Sequence, residues 1–335
     1  MQLSSKMHAC SILYALSVFV SQAFADYNAS SNSNMAISWG QNSINIREGP
    51  GAQERLATYC ADVNIGIVII SFVPVLVDVK GMLELNLANQ LLRTTDDIQP
   101  YPAANTRDDI KECQNKGKTI LLSFGGAEAT AEQGYKNNSH AESGAEAVWN
   151  MFGPSNGSSN ATHERPFGDA VVDGFDFDFE VTDEFLKVKH LDTFVKNLSE
   201  LAKDTSNSKK FYLTAIPECT PKNTLTSLVD VFDMWFVQFY NNEPCNIRSS
   251  TSDTAFSQWA TWAEGNKTKF FVGLSAGPTA AQPASFAPPG KTLSGFLSKA
   301  QSHNSMAGAM LWDASQAWNN SNYHQSVKNA LKEGK

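Results

Sequence analysis

Asp173-Gly174-Phe175-Asp176-Phe177-Asp178-Phe179-Glu180 is the stretch on which the reading of this chain turns. From Phe175 onward it alternates phenylalanine and acid three times. A period of two belongs to a β-strand, whose successive side chains leave on opposite faces. Phe175, Phe177 and Phe179 therefore share one apolar face, and Asp176, Asp178 and Glu180 share the other. Two residues of strand separate neighbouring acids by roughly 6.5 Å. At an effective dielectric of about 20, two charges at that distance repel by about 2.5 kcal/mol. Such a row does not ionise fully near neutrality, so one member holds a proton it can donate. Two plainer readings compete. An acidic edge strand facing solvent would leave the acids idle, yet no Lys or Arg is interleaved with them. A calcium loop uses the same oxygens, but its acids precede the glycine, and here the order is reversed.

Outward from this stretch, short apolar runs recur along the 335 residues at 35–39, 65–72, 119–124, 170–180, 211–216, 234–240, 270–275 and 307–312. Amphipathic segments lie between several of them, as at 185–203 and 252–265. Eight buried strands alternating with helices predict an α/β fold, a single-domain (β/α)8 TIM barrel over residues 35–335, with a doubly wound open sheet as the rival. In a barrel, chemistry gathers where strands enter their following loops. Glu180, Gly125-Gly126, Tyr240-Asn241-Asn242 and Trp312-Asp313 all stand at such ends. The long connection 127–169 is expected to hold a helix at 142–151 and then a surface loop carrying sequons at Asn156 and Asn160.

Residues 1–25 read as a signal peptide: Lys6, an apolar core at 12–20, then Ala23-Phe24-Ala25 before Asp26. That core is too short to span a membrane, and no later segment is long enough. A secreted, extracellular protein is expected, whether free or associated with a cell wall, with 26–34 as a disordered polar tail. Four cysteines remain beyond the leader, Cys60, Cys113, Cys219 and Cys245. In an oxidising compartment they suggest two bridges, and spacing alone leaves three pairings open. Further sequons at Asn28, Asn137, Asn197, Asn266 and Asn319 permit glycosylation. A net charge of −8, without any Lys/Arg run, argues against nucleic acid as a partner.

Other motifs lose on context. Gly273-Leu-Ser275-Ala-Gly277, followed by Asp313 and His324, has the order of a serine hydrolase. Pro278, Pro283, Pro288 and Pro289 prevent the helix that must follow the serine. Gly117-Lys118-Thr119 and Gly290-Lys291-Thr292 lack the earlier glycine of a phosphate loop. The six histidines show no metal-ligand spacing, so neither metal nor cofactor is expected. Trp259 and Trp262 sit at helical spacing with Phe256 and read as core.

Glycosidic cleavage ordinarily sets two carboxylates on opposite sides of a sugar. Asp178 and Glu180 leave one face of one strand and cannot straddle a ring. If Glu180 protonates the leaving oxygen, the nucleophile must come from elsewhere. The carbonyl of a 2-acetamido group supplies it, which points to polymers of N-acetylglucosamine.

The sequence resembles family 18 glycoside hydrolases, specifically class III, hevamine-like chitinases of the plant and fungal type. The matching segments are Ser38-Trp-Gly-Gln-Asn42, Leu122-Ser-Phe-Gly-Gly126, Arg165-Pro-Phe-Gly-Asp169, Asp173 to Glu180, Leu213-Thr-Ala215, Gln238-Phe-Tyr-Asn-Asn242 and Met310-Leu-Trp312. They run in order along nearly the whole mature chain. The resemblance implies Glu180 as proton donor and later base, Asp178 as the group that orients the acetamide, and Asp176 as its buried partner. It implies Tyr240 as donor to the acetamide oxygen, Gln238 on the same floor, and Trp312 beneath the sugar. Asn241, Gly125, Gly126 and Asp173 are carried over as further substrate-binding positions. It also implies bridges Cys60–Cys113 and Cys219–Cys245. The segment 273–277 departs from the family pattern, which is more proline-rich there. The implied activity is a monomeric endo-chitinase acting on chitin or chito-oligosaccharides with retention. An endo-β-N-acetylglucosaminidase acting on N-glycans is the alternative with the same chemistry, and a non-catalytic chitinase-like lectin the alternative without it.

Overall fold

A computed structural model describes residues 27–74, 85–92, 101–102, 105–127, 134–154, 165–180, 188–203, 209–220 and 224–333. In chain order the strands are β1 (Asn34–Trp39), β2 (Ile67–Val73), a two-stranded antiparallel pair β3 (Leu91–Leu92) and β4 (Tyr101–Pro102), β5 (Thr119–Gly125), β6 (Gly174–Asp178), β7 (Tyr212–Ala215), β8 (Met234–Gln238), β9 (Phe270–Ser275) and β10 (Met306–Trp312). Leaving out the antiparallel pair, the eight others close as β1-β10-β9-β8-β7-β6-β5-β2, every neighbour parallel. Because β1 pairs with both β2 and β10, the sheet has no edge, and the open doubly wound alternative is excluded. All eight apolar runs of the sequence fall on these strands. Those strands are buried on both faces, which is why they read as continuous apolar runs.

Side chains divide by parity. Ala36, Ile67, Ile69, Leu121, Phe236, Phe271 and Met310 fill the barrel interior. The opposite faces meet the helices. Phe177 stacks on Phe124 at 5.8 Å and lies 6.2 Å from Phe194 of α4 (Leu191–Lys203), while Phe175 meets Trp149 of α3 (Asn138–Phe152) at 6.2 Å. The phenylalanine face read from the sequence is thus the seam between sheet and helices, and the acids are left pointing inward. Trp259 and Trp262 of α5 (Ser252–Gly265) are packing residues, as expected. Trp259 is buried with its indole N–H donating to the Cys219 carbonyl at 2.8 Å, and Trp262 lies edge-on to Trp235 at 4.9 Å.

Two expectations need correction or narrowing. Within the segment expected as a disordered tail, residues 27–33 form a folded turn and Asn34 opens β1. The Asn34 amide donates to the carbonyls of Asn28, Ser31 and Ala307, and Tyr27 meets Tyr212 edge-on at 5.8 Å. Polar residues there satisfy one another and the end of the barrel instead of water. The run 170–180 is a strand only over Gly174–Asp178. The leader at 1–25 and the Asn156–Asn160 loop lie outside the described residues.

Both disulfides have the pairing that the family resemblance implied. Cys60–Cys113 ties α1 (Leu56–Cys60) to α2 (Thr106–Asn115), and Cys219–Cys245 ties the segment after β7 to the segment after β8. The second bridge closes a span of 26 residues beside the C-terminal mouth. Chain-entropy reasoning assigns such a closure about 3 kcal/mol. Replacing Cys219 and Cys245 together by alanine is therefore expected to lower the unfolding free energy by about that amount in urea titrations. An unchanged midpoint would mean the bridge contributes nothing to the native fold.

Candidate active site

The inward face of β6 rises from the barrel interior to its C-terminal mouth, and its acids meet different surroundings on the way. Asp176 is fully buried and accepts from Ser123 Oγ on β5 at 2.6 Å and from Thr214 Oγ1 on β7 at 2.5 Å. These donors are its register partners on the flanking strands, so the sheet delivers them. Burial pushes the Asp176 carboxyl up to about 6, against the pull of the two hydroxyls. Asp178 is 3% exposed. Burial raises it well above the ordinary carboxylate range, helped by Glu180 and then Asp176. Glu180 lies just past the strand and is raised by burial as well. One amide serves both groups: Gln238 Nε2, from the end of β8, donates to Asp178 Oδ1 at 3.1 Å and to Glu180 Oε1 at 3.0 Å. The two acids repel one another across this shared donor, and burial opposes ionisation of both.

Glycines make room for this arrangement. Gly125 opposes Asp178 in the ladder and has φ +105°; a Cβ there would stand 2.3 Å from the Asp178 carbonyl oxygen. The Gly126 N–H donates to that same oxygen at 2.6 Å. No residue with a side chain fits at Gly125, because both the dihedral and the space forbid it.

Above the acids a cleft of about 870 Å³ opens to solvent, lined by Asp178, Glu180, Tyr240, Asn241, Trp312, Gly125 and Gly126. Burial raises the Tyr240 hydroxyl far above its usual value, and the negative charges of Asp178 and Glu180 add to this, so it stays protonated as a donor. Trp312 ends β10, with its ring roughly parallel to that of Phe72 at 5.7 Å. Two aromatic faces at the foot of a polar cleft suit the apolar face of a sugar ring. Asn241 lines the cleft, while its Oδ1 accepts from the Gln282 N–H at 2.9 Å and so also holds the loop after β9.

One expected position is corrected. Asp173 lies at the opposite end of β6, where it accepts from the Ile120 N–H at 2.8 Å and pairs with Lys209 at 2.5 Å. It fixes the start of two strands and does not reach the cleft. Sequence reading also missed several lining residues. Gln41, Phe72 and Asn86 come from the ends of β1 and β2 and the chain beyond. Gln41 Nε2 donates to the carbonyls of Ser71 at 2.8 Å and Asn86 at 3.1 Å, bracing that rim. Gln41 lies in the family-matching segment Ser38–Asn42, but nothing in the sequence marked it as a lining residue. The serine-hydrolase arrangement does not assemble. Ser275 Oγ donates to the Gly277 carbonyl at 2.7 Å, Asp313 Oδ1 accepts from Ser315 and Gln316, and His324 faces Asp62 at 3.1 Å. Among the described residues, no three His, Cys, Asp or Glu side chains are placed to hold a metal ion.

A barrel with paired acids on one strand at its mouth defines a class, and comparison with known proteins identifies it. Residues 37–330 match the model of glycosyl hydrolases family 18, and the chain belongs to that family. It is 36% identical to endochitinase 33 of Trichoderma harzianum, over 97% of this chain and all of that one. It is 35% identical to a class III chitinase of Arthroderma benhamiae, over 96% of this chain and 92% of that one. Among solved structures, a xylanase and alpha-amylase inhibitor protein from Scadoxus multiflorus superposes with a TM-score of 0.70 at 25% identity, covering 90% of this chain and 98% of that one. The family thus holds chitinases and also a protein described as an inhibitor, so the site must carry any argument for catalysis.

Burying these acids has a thermodynamic consequence. Their folded-state pKa values are raised, so the folded chain binds more protons than the unfolded one above about pH 4. Stability then falls as pH rises through the raised values. Asp178→Asn keeps an acceptor for Gln238 and removes a charge that burial disfavours. Its melting temperature is expected to exceed that of the wild type at pH 7, with the gap closing towards pH 4. Equal melting temperatures at pH 7 would show that the site does not oppose ionisation.

Proposed function

We propose that this protein is a secreted endo-chitinase that hydrolyses β-1,4 bonds between N-acetylglucosamine units with retention, using the substrate's acetamide as nucleophile. The supporting observation is that Asp178 and Glu180 are the only acids among the described residues lining the cleft, and that both hang from one strand on one amide donor. A second carboxylate across the sugar, which direct displacement needs, has no counterpart there. The names of the most similar relatives agree with the substrate class. The two disulfides and the leader-like residues 1–25 support an extracellular site of action.

The steps follow from the placement. Glu180, whose hold on its proton burial strengthens, gives that proton to the glycosidic oxygen as the bond to C1 breaks. The acetamide carbonyl oxygen forms a bond to C1 from the other face, closing a five-membered oxazolinium ring. Asp178 accepts a hydrogen bond from the ring N–H and balances the positive charge. Tyr240 donates to the acetamide oxygen before attack and holds the group in line. Water then attacks C1, the ring opens, and Glu180 takes the water's proton.

Glu180→Gln is expected to lower kcat on chitotetraose by at least about a thousandfold while leaving the fold intact. Early products should have the β configuration by NMR. Ordinary activity in the variant, or α products from the wild type, would overturn the assignment. Release of high-mannose glycans from a glycoprotein, with chitotetraose left intact, would move the substrate to N-glycans. Binding of chitotetraose without turnover would make the protein a lectin.

A further inference from the structure

A third acid stands at the mouth, and the mechanism above does not use it. Along β7 and the residues after it, Thr214 faces inward to bond Asp176 and Ile216 packs in the barrel interior. Two residues on, Glu218 leaves on the same side. The register of β6 against β7 pairs Asp176 with Thr214 and Phe177 with Ala215, and the Ile216 N–H still donates to the Phe177 carbonyl at 2.8 Å. Continued to the mouth, that register sets Glu218 beside Glu180. On its other side Glu218 bridges Gln238, the residue whose amide holds the acid pair. Glu180, Glu218 and Gln238 thus form one row across three neighbouring chain segments. Glu218 is part-buried and makes no salt bridge with any described residue.

We propose that Glu218 is a positioning residue that sets the alkaline limit of the reaction, its carboxylate beside Glu180 opposing loss of the proton the donor must keep. The inference rests on the chitinase reading of the site. Other groups facing Glu180 leave this role open. Asp176 and Asp178 come from its own strand, Gln238 from the end of β8 and Tyr240 from just beyond it; no Lys, Arg or His lines the cleft among the described residues. The negative charge of Glu218 raises both Asp178 and Glu180, in addition to the mutual repulsion of that pair. A chain with glutamine at 218 would keep the shape of the mouth and lose the charge.

The sign follows directly. On the alkaline side activity disappears as the donor deprotonates. Removing a neighbouring negative charge lowers the donor's pKa, so the limb moves to lower pH. The mouth is open to solvent and screens more strongly than the interior; at an effective dielectric of about 40 and a separation of about 6 Å the expected displacement is about one pH unit. The test is the pH profile of kcat/KM on chitotetraose for the wild type, Glu218→Gln and Glu218→Asp. The expected result is an alkaline limb about one unit lower in Glu218→Gln and close to wild type in Glu218→Asp. An active wild type with the same limb in all three overturns the proposal and leaves the chitinase reading standing. So does a uniform loss of kcat in both variants with no movement of the limb, because a structural role alone gives that result. An inactive wild type contradicts the chitinase reading on which the proposal rests.

Discussion

Like charges held in a dry place are the constraint on which this structure turns. Asp176, Asp178 and Glu180 leave one face of β6 at strand spacing, and burial raises the proton affinity of each. Much of the surrounding construction compensates for that cost. Two hydroxyls satisfy Asp176, a single amide serves Asp178 and Glu180, and the Tyr240 hydroxyl stays protonated above them. A charge-rich strand face with so few donors is poor for stability. It is well suited to chemistry that needs one protonated and one ionised carboxyl at the same pH.

The barrel separates the two demands by height. At the N-terminal end, side chains hold the fold: Asp173 joins the start of β5 to Lys209, and Asn34 ties the first residues to Ala307. At the C-terminal end, Gly125, Gln238, Tyr240 and Trp312 shape the cleft. Between the ends lies an apolar interior of Ile67, Ile69, Leu121, Phe236 and Met310. Binding a substrate at the mouth therefore leaves the groups that fix the sheet undisturbed. The Cys219–Cys245 bridge belongs to the mouth, since it joins the segment bearing Glu218 to the one that follows Tyr240.

Much of this was legible in the sequence because strand geometry is simple. Alternation of Phe and acid from 175 to 180 gave the two faces of β6, and eight apolar runs gave the barrel. Errors arose where membership of one family motif was taken for a place in the cleft. Asp173 belongs to the same acidic stretch as Glu180, but seven residues of strand span roughly 23 Å, the full height of the sheet. The turn at 27–33 was read as disordered because its residues are polar, although Asn32 donates to the distant Gln301 carbonyl and the adjoining Asn34 to that of Ala307. Phe72 reaches the cleft from the end of β2 and Asn86 from chain beyond it, and no periodicity marks a side chain such as Asn86 that acts after its strand has ended. Cysteine spacing likewise left three pairings open until the coordinates selected one.

What distinguishes this site from a two-sided glycosidase is that, among the described residues lining the cleft, both acids come from one strand and its end. On the proposed reading the sugar's amide supplies the attacking oxygen, and its electron density should govern the rate. The most direct measurement uses a series of aryl chitobiosides whose acetamide carries zero, one, two or three fluorines. Each fluorine withdraws density from the carbonyl oxygen. If the amide attacks C1, kcat/KM falls steeply at each step, towards no turnover for the trifluoro compound. A rate that hardly varies across the series would mean that some other nucleophile does the work, and the one-sided site would need a different explanation.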